Sequence, residues 1–280
     1  MNGSTRTDVL VSTEWLAARL DDPDVRVVEV VVNTKAYDEG HIPGAVVWNI
    51  YADLKDAEYR LVDTPLIEAL LAKSGITADT LVVFYGYAPA FGFWLMSLYG
   101  HANVKVLDAS RDTWRAEGRP WTAAVAIPNL TDYRLAREDS RIRVRQAELD
   151  EAIGTPRWLI VDARTAAEYQ GERFWPSGGM EPGGNAGHIP GARHVPIDGI
   201  YDDRGAFRDD QDLRRVFEAA LAIDDAITVA PYCTIGGRAT TTWFVLTRLL
   251  GRENVRVYDG SWAEWGRTPG ARVEAGVLVS

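Results

Sequence analysis

Residues 227–250 read ITVAPYCTIGGRATTTWFVLTRLL and pass from a β-branched run through a short loop into an apolar segment. Ile227-Thr228-Val229 predicts a buried strand. The segment from Thr240 to Leu250 is long and apolar enough to predict a buried helix. The loop between them holds Cys233, the only cysteine among the 280 residues. The predicted local structure is therefore strand, glycine-containing loop and helix.

The loop after the strand is a candidate reactive site. Between a strand and a helix, successive backbone N–H groups and the helix N-terminus face one point, which favours an anion. A cysteine at the start of such a loop has its thiolate form stabilised. A lone cysteine is more often a small buried hydrophobic residue, but such a residue needs neither the two glycines nor the arginine that follow Cys233. We predict that Cys233 is catalytic and that the loop binds substrate through Thr234, Ile235, Gly236, Gly237 and Arg238.

Composition limits the possible partners. The chain is long for one domain and comfortable for two, and with 46% hydrophobic and 25% charged residues each half can bury a core. A formal net charge of −10 disfavours nucleic acid and anionic membranes as partners. A small anionic substrate must therefore be held by a local positive pocket.

Cysteine and histidine usage limits the compartment and the cofactors. One cysteine allows no intrachain disulfide, which fits a reducing compartment. The first eight residues lack the apolar segment of a signal peptide, so we expect a cytoplasmic protein. Four histidines and one cysteine, none at ligand spacing, predict no metal site, and no cofactor is expected. The sequence does not indicate an oligomeric state.

The uncharged segment from Leu81 to Gly100 is long enough to span a bilayer. Gly86, Pro89 and Gly92 interrupt it in the middle. We therefore predict a buried strand followed by a buried helix, as in the stretch around Cys233.

The chain contains a diverged internal repeat. The motif GHIPGA occurs at residues 40–45 and again at 187–192, 147 positions later. Near the end of each half, GHANVKV at 100–106 matches GRENVRV at 251–257, 151 positions later. We predict two homologous domains, residues 1–125 and 141–280, joined by a linker over residues 126–140.

The two halves differ around the cysteine. Tyr85 aligns with Tyr232, which places Gly86 opposite Cys233 and predicts about four more residues in the loop of the second half. The second half also has 15 extra residues within Gln170–Ala186, a Gly/Pro-rich loop long enough to be functional. Upstream, the alignment sets residues 162–164 (Asp-Ala-Arg) opposite three valines at 30–32, which predicts that the first half lacks this acid and base.

Strands alternate with helices throughout, which predicts an α/β fold with a mostly parallel sheet flanked by helices in each domain. Ligands of such sheets bind at the carboxyl ends of the strands, where Cys233 falls. The main predicted strands are Val25–Val32, Val46–Trp48, Val104–Leu107, Trp158–Asp162, Ile227–Pro231 and Val255–Tyr258, and the main predicted helices are Pro65–Ser74 and Gln211–Leu221.

Several motifs together resemble a tandem-domain rhodanese, a sulfurtransferase of the thiosulfate or 3-mercaptopyruvate type. They are the two GHIPGA turns, VDAR at 161–164, CTIGGR at 233–238 and VYDGSWAEW at 257–265. The resemblance implies two rhodanese-like domains, of which the first is non-catalytic. It also implies a persulfide on Cys233, formed from a donor such as thiosulfate and passed to a thiophilic acceptor such as cyanide or a thiol.

The residues near Cys233 agree with that chemistry. Sulfite is a good leaving group, so a thiolate held by amides needs no neighbouring histidine. Arg238 is the predicted fixed cation for an oxyanion, with a surface ion pair as its alternative. Arg60 and Arg173 are further candidate anion contacts. Asp162 and Arg164 are predicted to brace the loop as a buried ion pair.

The sequence indicates the sulfur donor less clearly than it indicates the type of reaction. Thr234 and Ile235 are neutral where well-known thiosulfate-type members have basic residues. Mercaptopyruvate-type members have a serine at the position of Ile235 and an arginine at the position of Glu168. Thiosulfate is therefore the predicted donor, and 3-mercaptopyruvate is the alternative.

Three other functions remain open. A related phosphatase loop needs five residues between cysteine and arginine, but only four separate Cys233 from Arg238. A sulfur-carrier or regulatory module with little turnover would use the same cysteine. A purely structural scaffold would leave unexplained why only one half keeps a cysteine.

Overall fold

The chain forms two compact units, each with its own parallel sheet and hydrophobic core. The computed structural model describes residues 6–221 and 224–276. The predicted pair of α/β domains is confirmed. Within the described chain, the first unit comprises residues 6–56, 61–139 and 201–208, and the second comprises residues 57–60, 140–200, 209–221 and 224–276.

The first unit has a five-stranded parallel sheet in the order β1-β5-β4-β2-β3. Its central strands are nearly continuous apolar runs because helices cover both faces of such a sheet. The strand predicted at Val104–Leu107 is the last of this unit in the chain. It is not an edge strand, because the two-residue β1 pairs with its outer side. The strands are β1 (Leu10–Val11), β2 (Val25–Val31), β3 (Val46–Asn49), β4 (Leu81–Gly86) and β5 (Val104–Leu107).

The second unit has a three-stranded parallel sheet in the order β7-β6-β8. The predicted strand Val255–Tyr258 is wrong as a regular strand, because it forms only isolated parallel bridges at Val255 and Val257. Asn254 has a left-handed backbone with φ of 56°, which interrupts the extended chain just before it. The strands are β6 (Trp158–Asp162), β7 (Arg193–His194) and β8 (Thr228–Tyr232).

The helices follow the predicted order. The side chain of Ser12 accepts a hydrogen bond from the Trp15 amide and so caps the helix that begins at Thr13. The helices of the first unit are α1 (Arg6–Val9), α2 (Thr13–Ala17), α3 (Lys35–Glu39), α4 (Ile50–Asp53), α5 (Thr64–Lys73), α6 (Pro89–Leu98) and α7 (Arg111–Ala116). Those of the second unit are α8 (Gln146–Ala152), α9 (Ala166–Tyr169), α10 (Asp210–Leu221), α11 (Gly237–Phe244), continued by a π-helical turn (Val245–Leu249), and α12 (Ser261–Trp265).

The uncharged segment is a strand and a helix, β4 and α6, as predicted. Nearly every side chain of α6 is buried in the first unit, which explains why the segment carries no charge. Across residues 6–221 and 224–276, no helix combines the length and the hydropathy that crossing a bilayer requires.

The GHIPGA turns have the same side-chain contacts in both units. His41 stacks on Tyr37 with ring centroids 3.9 Å apart, and His188 stacks on Tyr169 at 3.7 Å. In each pair the histidine Nδ1 lies 2.9 Å from the carbonyl oxygen of its stacked tyrosine. Both histidines are buried, so they hold the turn and the preceding helix together.

The strand register corrects one part of the prediction that the first half lacks an acid and a base. Glu29 is paired with Tyr85 in the first sheet, as Asp162 is paired with Tyr232 in the second. The acid is therefore present, one residue earlier than the sequence alignment placed it. The base is absent from the equivalent strand position, which is Val31, as predicted. Arg111 of α7 instead lies 2.8 Å from Glu29 and pairs with it.

The extra residues after Cys233 lie mostly in the helix, which corrects the predicted longer loop. Three residues separate Tyr85 from α6, and four separate Tyr232 from α11. The first-unit helix has 10 residues, whereas α11 has 8 and continues into a five-residue π-helical turn. The loop is thus only one residue longer than its counterpart.

The predicted linker has no helix or strand over residues 126–139. It nevertheless packs on the first unit. Thr131 donates from its hydroxyl to the Ile76 carbonyl at 2.6 Å, and the Tyr133 hydroxyl lies 2.9 Å from His101 Nδ1. Most of the predicted linker therefore belongs to the first compact unit.

Candidate active site

Cys233 lies at the carboxyl end of β8, where the loop to α11 begins. It is 1% exposed, and the backbone amide of Gly236 donates to its sulfur over 3.2 Å. Gly236 has a φ of 98°, a left-handed conformation that glycine adopts without the steric penalty of a side chain. The loop therefore turns one peptide N–H onto the sulfur, directly before the N-terminus of α11.

The start of α12 holds the backbone of the loop in place. The Cys233 amide donates to the Ser261 hydroxyl at 3.1 Å, and the Trp262 amide donates to the Cys233 carbonyl at 2.9 Å. The Ala263 amide donates to the Thr234 carbonyl at 2.8 Å. Ser261 itself has a φ of 56°, a strained conformation for a residue with a side chain. Sequence reasoning missed Ser261, although it lies inside the quoted motif VYDGSWAEW.

Glu168 binds the two polar side chains of the loop. Arg238 donates through Nη1 and Nη2 to the two carboxylate oxygens of Glu168 at 2.8 and 2.7 Å. The Thr234 hydroxyl donates to Glu168 Oε1 at 2.6 Å. Glu168 is fully buried and the Arg238 side chain is 16% exposed. The ion-pair alternative for Arg238 is therefore present, but it is a largely buried pair within the site.

The ionisation of Glu168 follows from these contacts. Burial alone would raise the pKa of the Glu168 carboxyl, but the hydrogen bonds and charge of Arg238 outweigh burial and lower the pKa to about 2. Thr165 fixes the carboxylate from the other side, because the two residues form a capping box at the start of α9. Glu168 is thus a fixed anion beside the loop.

Asp162 and Arg164 form the predicted buried ion pair, with Arg164 Nη2 and Asp162 Oδ2 2.7 Å apart. The Tyr232 hydroxyl donates to the same carboxylate at 2.5 Å. The guanidinium carbon of Arg164 lies 4.4 Å from the ring centroid of Trp262. Burial and the charge of Asp162 raise the pKa of Tyr232 well above its ordinary value, so the phenol stays protonated and donates. The pair therefore braces the strand end from which Cys233 follows.

The remaining candidates lie in different places. Ile235 is 7% exposed and lies in the loop, and Gly237 follows it as the first residue of α11. Their role in binding substrate stays a prediction. Arg60 pairs with Glu58 at 3.0 Å and lines a cavity of about 270 Å³ that Ala263 also lines. Arg173 donates to the Pro176 carbonyl at 3.4 Å within its own loop. The predicted anion-binding role of Arg60 and Arg173 therefore stays a prediction.

The chain belongs to the rhodanese family. The Rhodanese-like domain family matches it twice, over residues 12–117 and 145–268. A protein of Mycolicibacterium smegmatis named "Putative thiosulfate sulfurtransferase" is 40% identical over 97% of this chain and 99% of the relative. A protein of Haloferax volcanii with the same name is 38% identical over 98% of this chain and 99% of the relative. Family membership and these relatives support a sulfurtransferase activity.

Solved structures share the fold. The anaerobic ergothioneine biosynthesis enzyme from Chlorobium limicola, in complex with trimethyl histidine, superposes with a TM-score of 0.84 at 23% identity and covers 99% of this chain and 72% of that one. The crystal structure of YnjE superposes with a TM-score of 0.80 at 25% identity, covering 97% of this chain and 69% of that one. The matched residues include both units of this chain.

Proposed function

We propose that the protein is a thiosulfate sulfurtransferase that carries a sulfane sulfur as a persulfide on Cys233. The observation that carries the proposal is the Gly236 amide, which donates to the Cys233 sulfur over 3.2 Å at the end of a parallel strand. An amide in that position stabilises negative charge on sulfur. Relatives 37–40% identical over nearly the whole chain bear the name of this activity, which supports the choice of donor.

In the first half-reaction, the Cys233 thiolate attacks the outer sulfur of thiosulfate. A new sulfur–sulfur bond forms to Cys233, and the sulfur–sulfur bond of thiosulfate breaks. Sulfite leaves with the electron pair of the broken bond, so no proton has to be supplied to the leaving group. The persulfide retains one negative charge, which the loop amides stabilise as they stabilised the thiolate.

In the second half-reaction, an acceptor attacks the outer sulfur of the persulfide. With cyanide the carbon forms a bond to sulfur, thiocyanate leaves, and the electron pair of the persulfide bond returns to Cys233 as a thiolate. A thiol acceptor as its thiolate takes the sulfur in the same way and becomes a persulfide. The enzyme ends each cycle in its starting state, and no cofactor enters the balance.

The candidate residues then have distinct roles. Cys233 is the nucleophile, and the amides of residues 234–238 bind the charge that moves between donor, thiolate and persulfide. Gly236 and Gly237 allow the backbone angles that this cradle needs. Asp162 and Arg164 brace the loop, while Arg60, Arg173 and Arg238 are the side chains proposed to attract the anionic donor.

The burial of Cys233 limits the size of the donor. At 1% exposed, the sulfur offers no surface to a large donor unless the neighbouring side chains move. Water is excluded from the sulfur for the same reason, which protects a persulfide during the interval between the half-reactions. We infer that small donors and acceptors are preferred.

The proposal is tested by comparing donors with purified protein. Thiosulfate and cyanide should give thiocyanate, with a higher kcat/KM than 3-mercaptopyruvate, because Ile235 and Glu168 stand where mercaptopyruvate-type members have a serine and an arginine. A higher kcat/KM with mercaptopyruvate would reverse the choice of donor. Hydrolysis of an aryl phosphate without thiocyanate formation would favour the phosphatase alternative. A persulfide that forms but does not turn over would favour a sulfur-carrier module.

A further inference from the structure

Arg238 is the only charged residue in the loop from Cys233 to Arg238. The proposed function needs a local positive charge for an anionic donor, because the whole chain carries a formal charge of −10. Both terminal nitrogens of Arg238 nevertheless bind Glu168, at 2.7 and 2.8 Å. The charge that the sequence places in the loop is therefore compensated inside the protein.

The compensation is built into the site. Glu168 is fully buried, and its two oxygens accept from Arg238, Thr234 and Thr165. The third of these contacts comes from the capping box of α9, so the carboxylate is positioned by its own helix and not by the loop alone. A bidentate arginine–carboxylate pair is geometrically specific and resists rearrangement.

We propose that Glu168 is a positioning residue that sets donor selectivity, because it neutralises Arg238 and thereby lowers the preference of the site for dianionic over monoanionic sulfur donors. The proposal rests on the proposed function and extends it to a substrate class. Because Glu168 balances part of the charge of Arg238, the loop attracts a donor less through this guanidinium and more through its peptide dipoles. Peptide dipoles stabilise a second negative charge on the donor less than an unbalanced guanidinium does. Thiosulfonates and organic persulfides, which carry one charge, are then accepted alongside thiosulfate.

The test measures kcat/KM for thiosulfate, a dianion, and for methanethiosulfonate, a small monoanion, with cyanide as the common acceptor. In Glu168→Gln the side chain keeps its shape and loses its charge, so Glu168 no longer balances the positive charge of Arg238. We expect the ratio of the two kcat/KM values to shift toward thiosulfate by about tenfold, the size of a typical charge-assisted contact. The gain should appear mainly as a lower KM for thiosulfate, and it should shrink as salt is added.

Three variants control the measurement. Glu168→Asp keeps the charge and should keep a donor ratio close to the wild-type one. Glu168→Gln combined with Arg238→Gln removes the cation as well and should abolish the shift. Glu148→Gln removes the acid of another arginine pair in the same unit, in which Glu148 binds both terminal nitrogens of Arg256, and should leave the donor ratio unchanged.

The outcomes separate this proposal from the proposed function. An equal loss of activity with both donors in Glu168→Gln would show that Glu168 only supports the loop, and would overturn the proposal while leaving sulfur transfer intact. If that variant does not fold, the proposal is tested by how kcat/KM of the wild-type enzyme for each donor depends on salt concentration. A similar, shallow dependence for both donors supports a neutralised site, and a much steeper one for thiosulfate overturns it. A wild-type protein that transfers sulfur from neither donor overturns the proposed function as well.

Discussion

The backbone amide of Gly236 donates to the sulfur of Cys233 over 3.2 Å, and this contact depends on a left-handed backbone at Gly236 with φ of 98°. For any other residue at this position, keeping that conformation would cost about 1 kcal/mol or more of folding free energy. A residue that relaxes to negative φ would turn the amide away from the sulfur. The contact between this amide and the sulfur is therefore tied to one glycine.

We predict that Gly236→Ala lowers the rate of persulfide formation from thiosulfate by more than about tenfold, because the amide that stabilises the thiolate is displaced. The measurement is sulfite release in a single turnover. Gly154→Ala is the matched control, since Gly154 has a φ of 76° with open space around it in the same unit. That control should lose a similar amount of stability and keep the wild-type rate. Equal rates in Gly236→Ala and wild type would contradict the role given to the amide.

The first unit should not regain a nucleophile by a single substitution. Gly86 stands at the position of Cys233, and a Cβ there would lie 2.8 Å from Glu29 Cγ and 2.9 Å from the Val30 carbonyl oxygen. We predict that Gly86→Cys destabilises the protein by about 2 kcal/mol or more, through the clash and the φ of 103° together. No second persulfide should form.

Urea unfolding and intact mass after incubation with thiosulfate test this prediction. Gly44→Cys serves as the comparison, because Gly44 has a φ of 77° and nothing within 4 Å of an added Cβ. Gly44→Cys should lose the stability that the left-handed backbone costs a cysteine, but it should lose none through a clash. A stable Gly86→Cys protein that takes up two sulfur atoms would show that the first loop is still competent.

The tyrosines that end the two equivalent strands should contribute similarly to stability and differently to activity. The hydroxyl of Tyr232 accepts from the Ile189 amide at 3.1 Å and that of Tyr85 accepts from the Ile42 amide at 3.1 Å. Replacing either by phenylalanine leaves a buried amide and a buried acid short of a partner, which costs about 1–3 kcal/mol. Only Tyr232→Phe should reduce sulfur transfer, because Cys233 follows Tyr232. An equal loss of transfer in Tyr85→Phe would argue against this assignment.

The Glu168–Arg238 pair gives stability a defined pH dependence. The pKa of Glu168 falls from an ordinary 4.5 to about 2 in the folded protein, so its contribution is fully present above about pH 5 and is lost as the pH falls toward 2. The difference in unfolding free energy between wild type and Glu168→Gln should shrink by about 1 kcal/mol between pH 6 and pH 4. Urea titrations at the two pH values measure it. A difference that does not change with pH would show that the carboxylate is not held ionised in the fold.

Local sequence patterns were sufficient for most of the fold. The repeated GHIPGA turns, the valine-rich strands and the strand-loop-helix around Cys233 each specify their structure within a few residues of chain. The pairing of Glu168 with Arg238 joins residues 70 positions apart, and no local pattern encodes such a contact. The sequence pointed to Glu168 only as an unusual residue at a position where related proteins carry arginine.

Two predictions from the sequence were wrong because they depended on structure that a single sequence does not encode locally. The acid of the first unit lies one residue earlier than the aligned sequence repeats place it, because the register that pairs Glu29 with Tyr85 is fixed by the sheet. The extra residues after Cys233 were assigned to the loop, whereas most of them extend the helix as a π-helical turn. Neither strand register nor a π-helical insertion leaves a clear signal in a single sequence.

We propose that Cys233 carries the sulfur in transit, and the intact mass of the protein shows whether it does. Wild-type protein incubated with thiosulfate should gain the mass of one sulfur atom, lose it on addition of cyanide, and show no gain when Cys233 is replaced by serine. An unchanged mass in the wild type, or the same gain in Cys233→Ser, would contradict the account.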